Sequence, residues 1–216
     1  MLKAVLFDMD GVIFDTEAVI AKAAILCLNE YGISPVPEDF VPFIGTGERS
    51  FIGGVAAKYG LDYQPEMITR TYEIYDTIAQ EITIFPGVIG SIEYVRGCGL
   101  KAAVCSSAHR RKVLTNLRVK SVSESLFDAM VTAEDVVNKK PDPAVFLMGA
   151  ARLNVPPASC LVIEDALAGI AAGKAAGCTV AAVPTSFPRE DLARAGADFV
   201  LKDIAALPAL LQQLLR

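Results

Sequence analysis

At the seventh residue the apolar run KAVLF ends and the text turns acidic, reading DMDG, so that Asp8 and Asp10 stand one residue apart. Asp15 and Glu17 follow within ten residues. Three later apolar runs end in the same manner. KAAVC is followed by Ser106 and Ser107, FDAMV by the segment NKKPDP with Lys139 and Lys140, and CLVIE closes on Glu164 next to Asp165. If these runs are strands of one sheet, four carboxylates (Asp8, Asp10, Glu164 and Asp165) meet at one edge. Two like charges about 4 Å apart repel by roughly 4 kcal/mol at an effective dielectric near 20. Four of them need a counter-ion. A hard divalent cation satisfies oxygen donors, and Mg²⁺ suits a site where a few carboxylates, waters and a phosphate share an octahedron. One lysine and one serine hydroxyl complete a phosphate site, the first by charge and the second by donating a hydrogen bond. Such a set also supports catalysis. A carboxylate attacks phosphorus to form an aspartyl-phosphate, and a second carboxyl two positions on protonates the leaving oxygen and then deprotonates water. Asp8 and Asp10 fit those two roles.

The surrounding text says what must hold these groups. Six β-rich runs, KAVLF, KAAVC, FDAMV, CLVIE, CTVAAV and DFVL, alternate with helical patterns such as GVIGSIEYVRGCG and RRKVLTNLR. Val88, Ile89, Ile92 and Val95 recur at helical spacing, as do Val113, Leu114 and Leu117. Apolar strands separated by helices predict an α/β parallel sheet in a three-layer sandwich, and in such open sheets ligands bind at the carboxyl ends of the strands. From about Thr16 to Thr83 the alternation stops and helix follows helix. The expected organisation is a core of residues 1–15 with 84–216 and an all-helical insert, 16–83, whose chain crossings at Asp15–Glu17 and Thr83–Pro86 are hinges.

Composition narrows the function classes. A net charge of −5 and the lack of a basic run with interleaved aromatics argue against a nucleic-acid surface. The longest weakly polar run, ALAGIAAGKAAGCTVAAV, has Lys174 near its middle, and a lysine at the bilayer centre costs about 3 kcal/mol, so no membrane role is expected. MLKAV lacks the basic and extended apolar regions of a secretory signal. The five cysteines form no CxxC pair, and most sit in apolar stretches. Reduced thiols in a cytosol-like compartment are expected.

DMDGVIFDTE, the serine after KAAVC, KKPDPAVF and VIEDALAGIAAGKAAG, in that order, resemble the four motifs of the haloacid dehalogenase superfamily. More closely they resemble its β-phosphoglucomutase-like and phosphoglycolate phosphatase-like branch, which has a helical cap after the first motif. The resemblance implies a Rossmann-like core with Asp8 as nucleophile, Asp10 as acid/base, and Ser106, Ser107 and Lys140 at the phosphate. It implies magnesium on the Asp8 side chain, the Asp10 backbone carbonyl and Asp165, with Glu164 assisting. Lys140 is preferred to Lys139 because the family lysine directly precedes the proline, here Pro141. Within the insert, the loop IGTGERS is implied to face the site, with Gly45, Thr46 and Arg49 selecting substrate and Arg49 meeting a second anionic group; His109 is placed to touch substrate. Asp15 and Glu17 read as structural.

Among branches, Asp10 argues against a dehalogenase. The mutase pattern has a histidine early in the first cap helix, where this chain has Ile20, and a lysine and a serine after the second motif, where it has His109 and Ala108. The expected activity is therefore a Mg²⁺-dependent phosphatase acting on a small phosphorylated metabolite, a sugar or polyol phosphate, with a phosphomutase as the alternative and a non-catalytic phospho-accepting or partner-binding domain behind both. A monomer suffices. The expected compartment is the cytoplasm, with the plastid open because the insert also resembles caps in some plant plastid proteins.

Overall fold

The computed structural model describes all 216 residues. In chain order its strands are β1 (Ala4–Phe7), β2 (Phe14–Asp15), β3 (Thr83–Ile84), β4 (Lys101–Cys105), β5 (Ala129–Val131), β6 (Cys160–Glu164), β7 (Thr179–Ala182) and β8 (Phe199–Val200). Six of them form one sheet in the order β5-β4-β1-β6-β7-β8, every neighbouring pair parallel. Each corresponds to one of the six runs read from the sequence. The four residues of β1 are fully buried because both faces of the sheet are covered. Val5 and Phe7 join one apolar cluster, Ala4 and Leu6 the other; this is the period-two alternation of a strand.

Helices α4 (Val88–Gly97), α5 (Arg110–Val119), α6 (Ala144–Arg152), α7 (Leu167–Ala175), α8 (Arg189–Arg194) and α9 (Leu207–Leu214) lie between or after the strands. The register sets the site. Phe7 stands opposite both Val104 and Ile163, so β1, β4 and β6 end in step. The chain runs from β1 out to β4 and β5, then crosses to β6 on the other side of β1. That reversal opens a crevice at the carboxyl ends of the central strands.

Between β2 and β3 come only helices: α1 (Glu17–Glu30), α2 (Glu48–Lys58) and α3 (Pro65–Ile78), with short 3₁₀ turns. The helix α1 packs on α3, and the Cys27 thiol reaches the Met67 carbonyl at 3.4 Å. Their apolar faces merge with the cluster on the Val5 and Phe7 side of the sheet. Tyr75 on α3 donates to the Asn116 Oδ1 of α5 at 2.8 Å, and Arg111 of α5 pairs with Asp76. The two crossings form a ribbon in which Phe14 opposes Ile84 and Asp15 opposes Thr83. Strands this short carry no readable period, which is why the sequence pointed to the crossings without revealing the pairing.

Candidate active site

Asp8 follows β1 directly, and its amide donates to the Ile163 carbonyl of β6 at 3.0 Å. Gly11 then turns the chain with φ +78°, a conformation that L side chains rarely adopt. The turn is crowded as well: a Cβ on Gly11 would run into the Asp165 carboxylate. Asp165 lies just past β6, where the Ser186 hydroxyl donates to its Oδ2. Glu164, the last residue of β6, is anchored on both oxygens. Its Oε2 accepts from the Asp165 and Ala166 amides, both at 2.8 Å, and its Oε1 takes the Lys140 ammonium at 2.6 Å. Gly169 on α7 leaves room for that carboxylate; a Cβ there would strike it.

Lys140 completes the group by donating to Asp8 Oδ1 at 2.5 Å. Asp8, Lys140, Glu164 and Asp165 are all buried. Burial raises the Asp8 carboxyl most; Lys140 pulls it down and Glu164 and Asp10 push it up, to about 8. Asp165 is raised well above the carboxylate range by burial, Glu164 and Asp8. Burial would lower Lys140, yet Asp8 and Glu164 more than offset this and keep it a cation. One ammonium faces three acids in a dry place, and the raised Asp8 and Asp165 carboxyls mean that all three ionise together only if further positive charge is supplied. The ligand oxygens of Asp8, Glu164 and Asp165 lie within 4.8 Å of one another. Hard oxygen donors with unbalanced charge fit a divalent cation such as Mg²⁺.

The Asp10 side chain stands apart from that trio. Its Oδ1 accepts from the Lys112 ammonium of α5 at 2.7 Å and from the Thr16 hydroxyl. Of the residues read as metal ligands, Asp8, Glu164 and Asp165 are brought together, whereas the Asp10 carboxylate is engaged elsewhere. Burial would lower Lys112 too, but Asp10, Tyr75 and Glu17 keep it charged.

Ser106 and Ser107 line one cavity with Asp8, Asp10, Lys140 and Asp165. The Ser106 hydroxyl accepts from the Ala108 amide at 3.0 Å and so keeps its proton to donate. The Ser107 hydroxyl is buried with no partner. Neither caps α5, whose N-terminal flank is His109. Lys139 is spent on the Ala133 and Val136 carbonyls.

The insert closes over the crevice. Gly45, with φ +78°, sits so near that a Cβ would lie 2.8 Å from the Ala166 Cβ. Glu48, at the start of α2, accepts on Oε1 from the His109 amide at 2.8 Å and from the Tyr72 hydroxyl. Glu17, Ile20, Phe43, Glu48 and Phe51 form the insert's side of the cavity. Burial and then Asp10 raise the Glu17 carboxyl to about 7.

Four expectations for the loop and its neighbour divide here. Gly45 lines the cavity; Thr46, Arg49 and His109 line an outer groove that adjoins it and shares Gly47, Glu48 and Lys140 with it. Thr46 bonds back to the Phe43 carbonyl, Arg49 lies over the Tyr63 ring, and His109 faces Glu134. Helix α2 starts at Glu48, which turns Glu48 inward and its neighbour Arg49 outward. Sequence reading missed Lys112, Ser186 and Glu48, and took Glu17 as structural. Lys112 had a faint signal: with Asn116 it is a polar i, i+4 pair among inward positions of α5. Ser186 had none.

Residues 5–183 match the family described as haloacid dehalogenase-like hydrolase. Protein SUPPRESSOR OF QUENCHING 1, chloroplastic, from Arabidopsis thaliana is 43% identical over 208 residues, covering 94% of this chain; the chain spans only 20% of that protein's length. Hexitol phosphatase A of Escherichia coli is 34% identical over 87% of this chain and 86% of its own. Among solved structures, a β-phosphoglucomutase from Clostridium difficile superposes with a TM-score of 0.87 at 27% identity, over 99% of this chain and 96% of that one. A match across most of the sequence, with the parallel sheet and a carboxylate cluster at its edge, makes this chain a member of the haloacid dehalogenase-like hydrolase family.

Proposed function

We propose that the chain is a Mg²⁺-dependent phosphatase that hydrolyses a small phosphorylated metabolite, a sugar or polyol phosphate, through an aspartyl-phosphate on Asp8. Residues 1–15 and 84–216 form the catalytic core and 16–83 the cap. The supporting observation is the Asp8 carboxylate: it is fixed by Lys140 and faces the same cavity as Asp10, Ser106 and Asp165.

In this reading the Lys140 ammonium and the Ser106 and Ser107 hydroxyls hold the non-bridging oxygens of the phosphoryl group. An Asp8 oxygen forms a bond to phosphorus while the bond to the leaving oxygen breaks, and that oxygen takes its electron pair and a proton from Asp10. Water then attacks phosphorus, its proton passing back to Asp10 and the bonding pair returning to the Asp8 carboxylate. Asp8, Asp165 and the Asp10 carbonyl would hold Mg²⁺, with Glu164 orienting Lys140 and the Asp165 amide. When bound, the ion supplies Lewis-acid neutralisation of charge on the transferring group. The closed cap keeps bulk water from the first step. The reducing compartment expected from the sequence, cytosol or plastid, is retained, and a monomer is sufficient.

A phosphomutase is the second reading, favoured by the likeness to the clostridial enzyme. Phosphate release from p-nitrophenyl phosphate with Mg²⁺ tests the chemistry: Asp8→Asn should lose roughly 10³-fold or more, and rates equal to wild type would end the proposal. Incubating β-glucose 1-phosphate with and without a bisphosphate activator then separates free phosphate from isomer.

A further inference from the structure

We infer that, within the phosphatase reading, Glu17 and Glu48 select a phosphomonoester whose leaving group is uncharged and hydroxyl-bearing, and turn away one that carries a second phosphate or a carboxylate. The phosphoryl group is held at the sheet edge, so the rest of the substrate points at the insert. That wall is made by Ile20, Phe43 and Phe51 with the carboxylates of Glu17 and Glu48. Every cation that reaches the cavity is already committed. Lys140 pairs with Asp8 and Glu164, and Lys112 pairs with Asp10. Arg49, the one basic residue of the insert loop, lies 5.4 Å from the Tyr63 ring centroid and lines only the outer groove.

Within the cavity itself no uncommitted positive charge is therefore left for a second anion, whereas acceptors for hydroxyl groups are. Both protein bonds to Glu48 fall on Oε1, leaving Oε2 open, and no donor in the chain reaches the Glu17 carboxylate. A carboxylate beside an incoming anion is repelled by it, and like-charge juxtaposition in a desolvated contact is a strong specificity element. A sugar or polyol hydroxyl instead donates to it in a charge-assisted hydrogen bond. Glu48 also ties the insert to the core through the His109 amide, so contact with substrate and closure are made by one side chain.

The test uses matched pairs on the wild-type protein with Mg²⁺ at about pH 8.5, above the value of about 7 to which burial raises Glu17, so that both glutamates are carboxylates, and at 0.15 M salt, where distant surface charge is screened beyond about 8 Å. Glycerol 3-phosphate is compared with 3-phosphoglycerate, and fructose 6-phosphate with fructose 1,6-bisphosphate. The neutral member of each pair should have the higher kcat/KM by about tenfold or more, mainly through KM. Glu48→Gln and Glu17→Gln should each narrow the ratio, again through KM, while melting curves report that the variants are folded. Equal or reversed preference in the wild type overturns the inference, as do folded variants that leave the ratio unchanged. The aryl phosphate separates the two levels: turnover of it without selection defeats this inference alone, whereas no turnover of any ester defeats the phosphatase reading and this inference with it.

Discussion

The Lys140 ammonium stands 2.5 Å from the Asp8 carboxylate although 132 positions separate them in the chain. The contact exists because β1 and β6 end in step and the loop ahead of α6 passes over the sheet edge. It also carries the second anchor, Glu164, so a single cation serves two buried acids.

Lys140→Met removes that cation and leaves the acids unpaired. Breaking a buried pair costs about 3–5 kcal/mol, and a chain of this size loses roughly 2–4 °C per kcal/mol. The metal-free variant should melt about 6–20 °C below wild type at neutral pH, toward the smaller value because the acids soften the loss by taking up protons. Added Mg²⁺ should raise its melting temperature more than it raises that of wild type, because it replaces missing positive charge. Differential scanning calorimetry with and without the ion reads both effects.

Asp10→Asn separates the two halves of the proposed reaction. Loss of general acid–base help should slow turnover of a sugar phosphate by about 10²–10⁴. With p-nitrophenyl phosphate the leaving oxygen needs no proton, so the first step survives and the second does not. A burst of nitrophenol stoichiometric with enzyme, followed by a slow steady state, is the expected stopped-flow trace.

Gly169→Ala sets helix propensity against packing. Alanine is better than glycine inside a helix by about 1 kcal/mol, yet here its methyl group would collide with Glu164. Overpacking costs about 1–3 kcal/mol, so the variant should be less stable than wild type. Gly90→Ala in α4 is the control: nothing lies near its Cβ position, and it should gain about 0.5–1 kcal/mol. Paired urea melts check the opposite signs.

Asp39 predicts a pH effect in the insert. It accepts from Lys58, Tyr59 and the Val36 amide, and these bonds hold it down from 3.8 to about 2. A depressed carboxyl contributes stability that is present above the unfolded value and lost as pH falls through the folded one. Wild type should therefore exceed Asp39→Asn in stability at pH 5, and the gap should close as pH drops from about 4 toward 2. Thermal melts across that range decide it.

Much of this was legible in one dimension. The six strands announced themselves as runs buried on both faces, and Asp8, Ser106 and Glu164 could be placed at one edge because parallel strands share a direction. The β2–β3 ribbon could not be read, since two residues show no period. Lys112 hid in RRK, where three basic residues look alike until the helix turns one inward. Arg49 was hard to place for the complementary reason: a loop expected to approach the site does not say which of its side chains face it. Glu48 and Arg49 are adjacent, and one residue of helical rotation, about 100°, decided between them.

By itself the sequence determined the α/β class, the helical insert and the four clusters of polar groups at strand ends, because local periodicity and strand direction suffice for these. Only the tertiary structure decided which carboxylates share an oxygen cluster, that Lys140 bridges Asp8 and Glu164 while Lys112 takes Asp10, and that Glu17 and Glu48 wall the cavity. Those choices depend on distances of a few ångströms between segments a hundred residues apart, and such distances are fixed by packing rather than by any pattern along the chain.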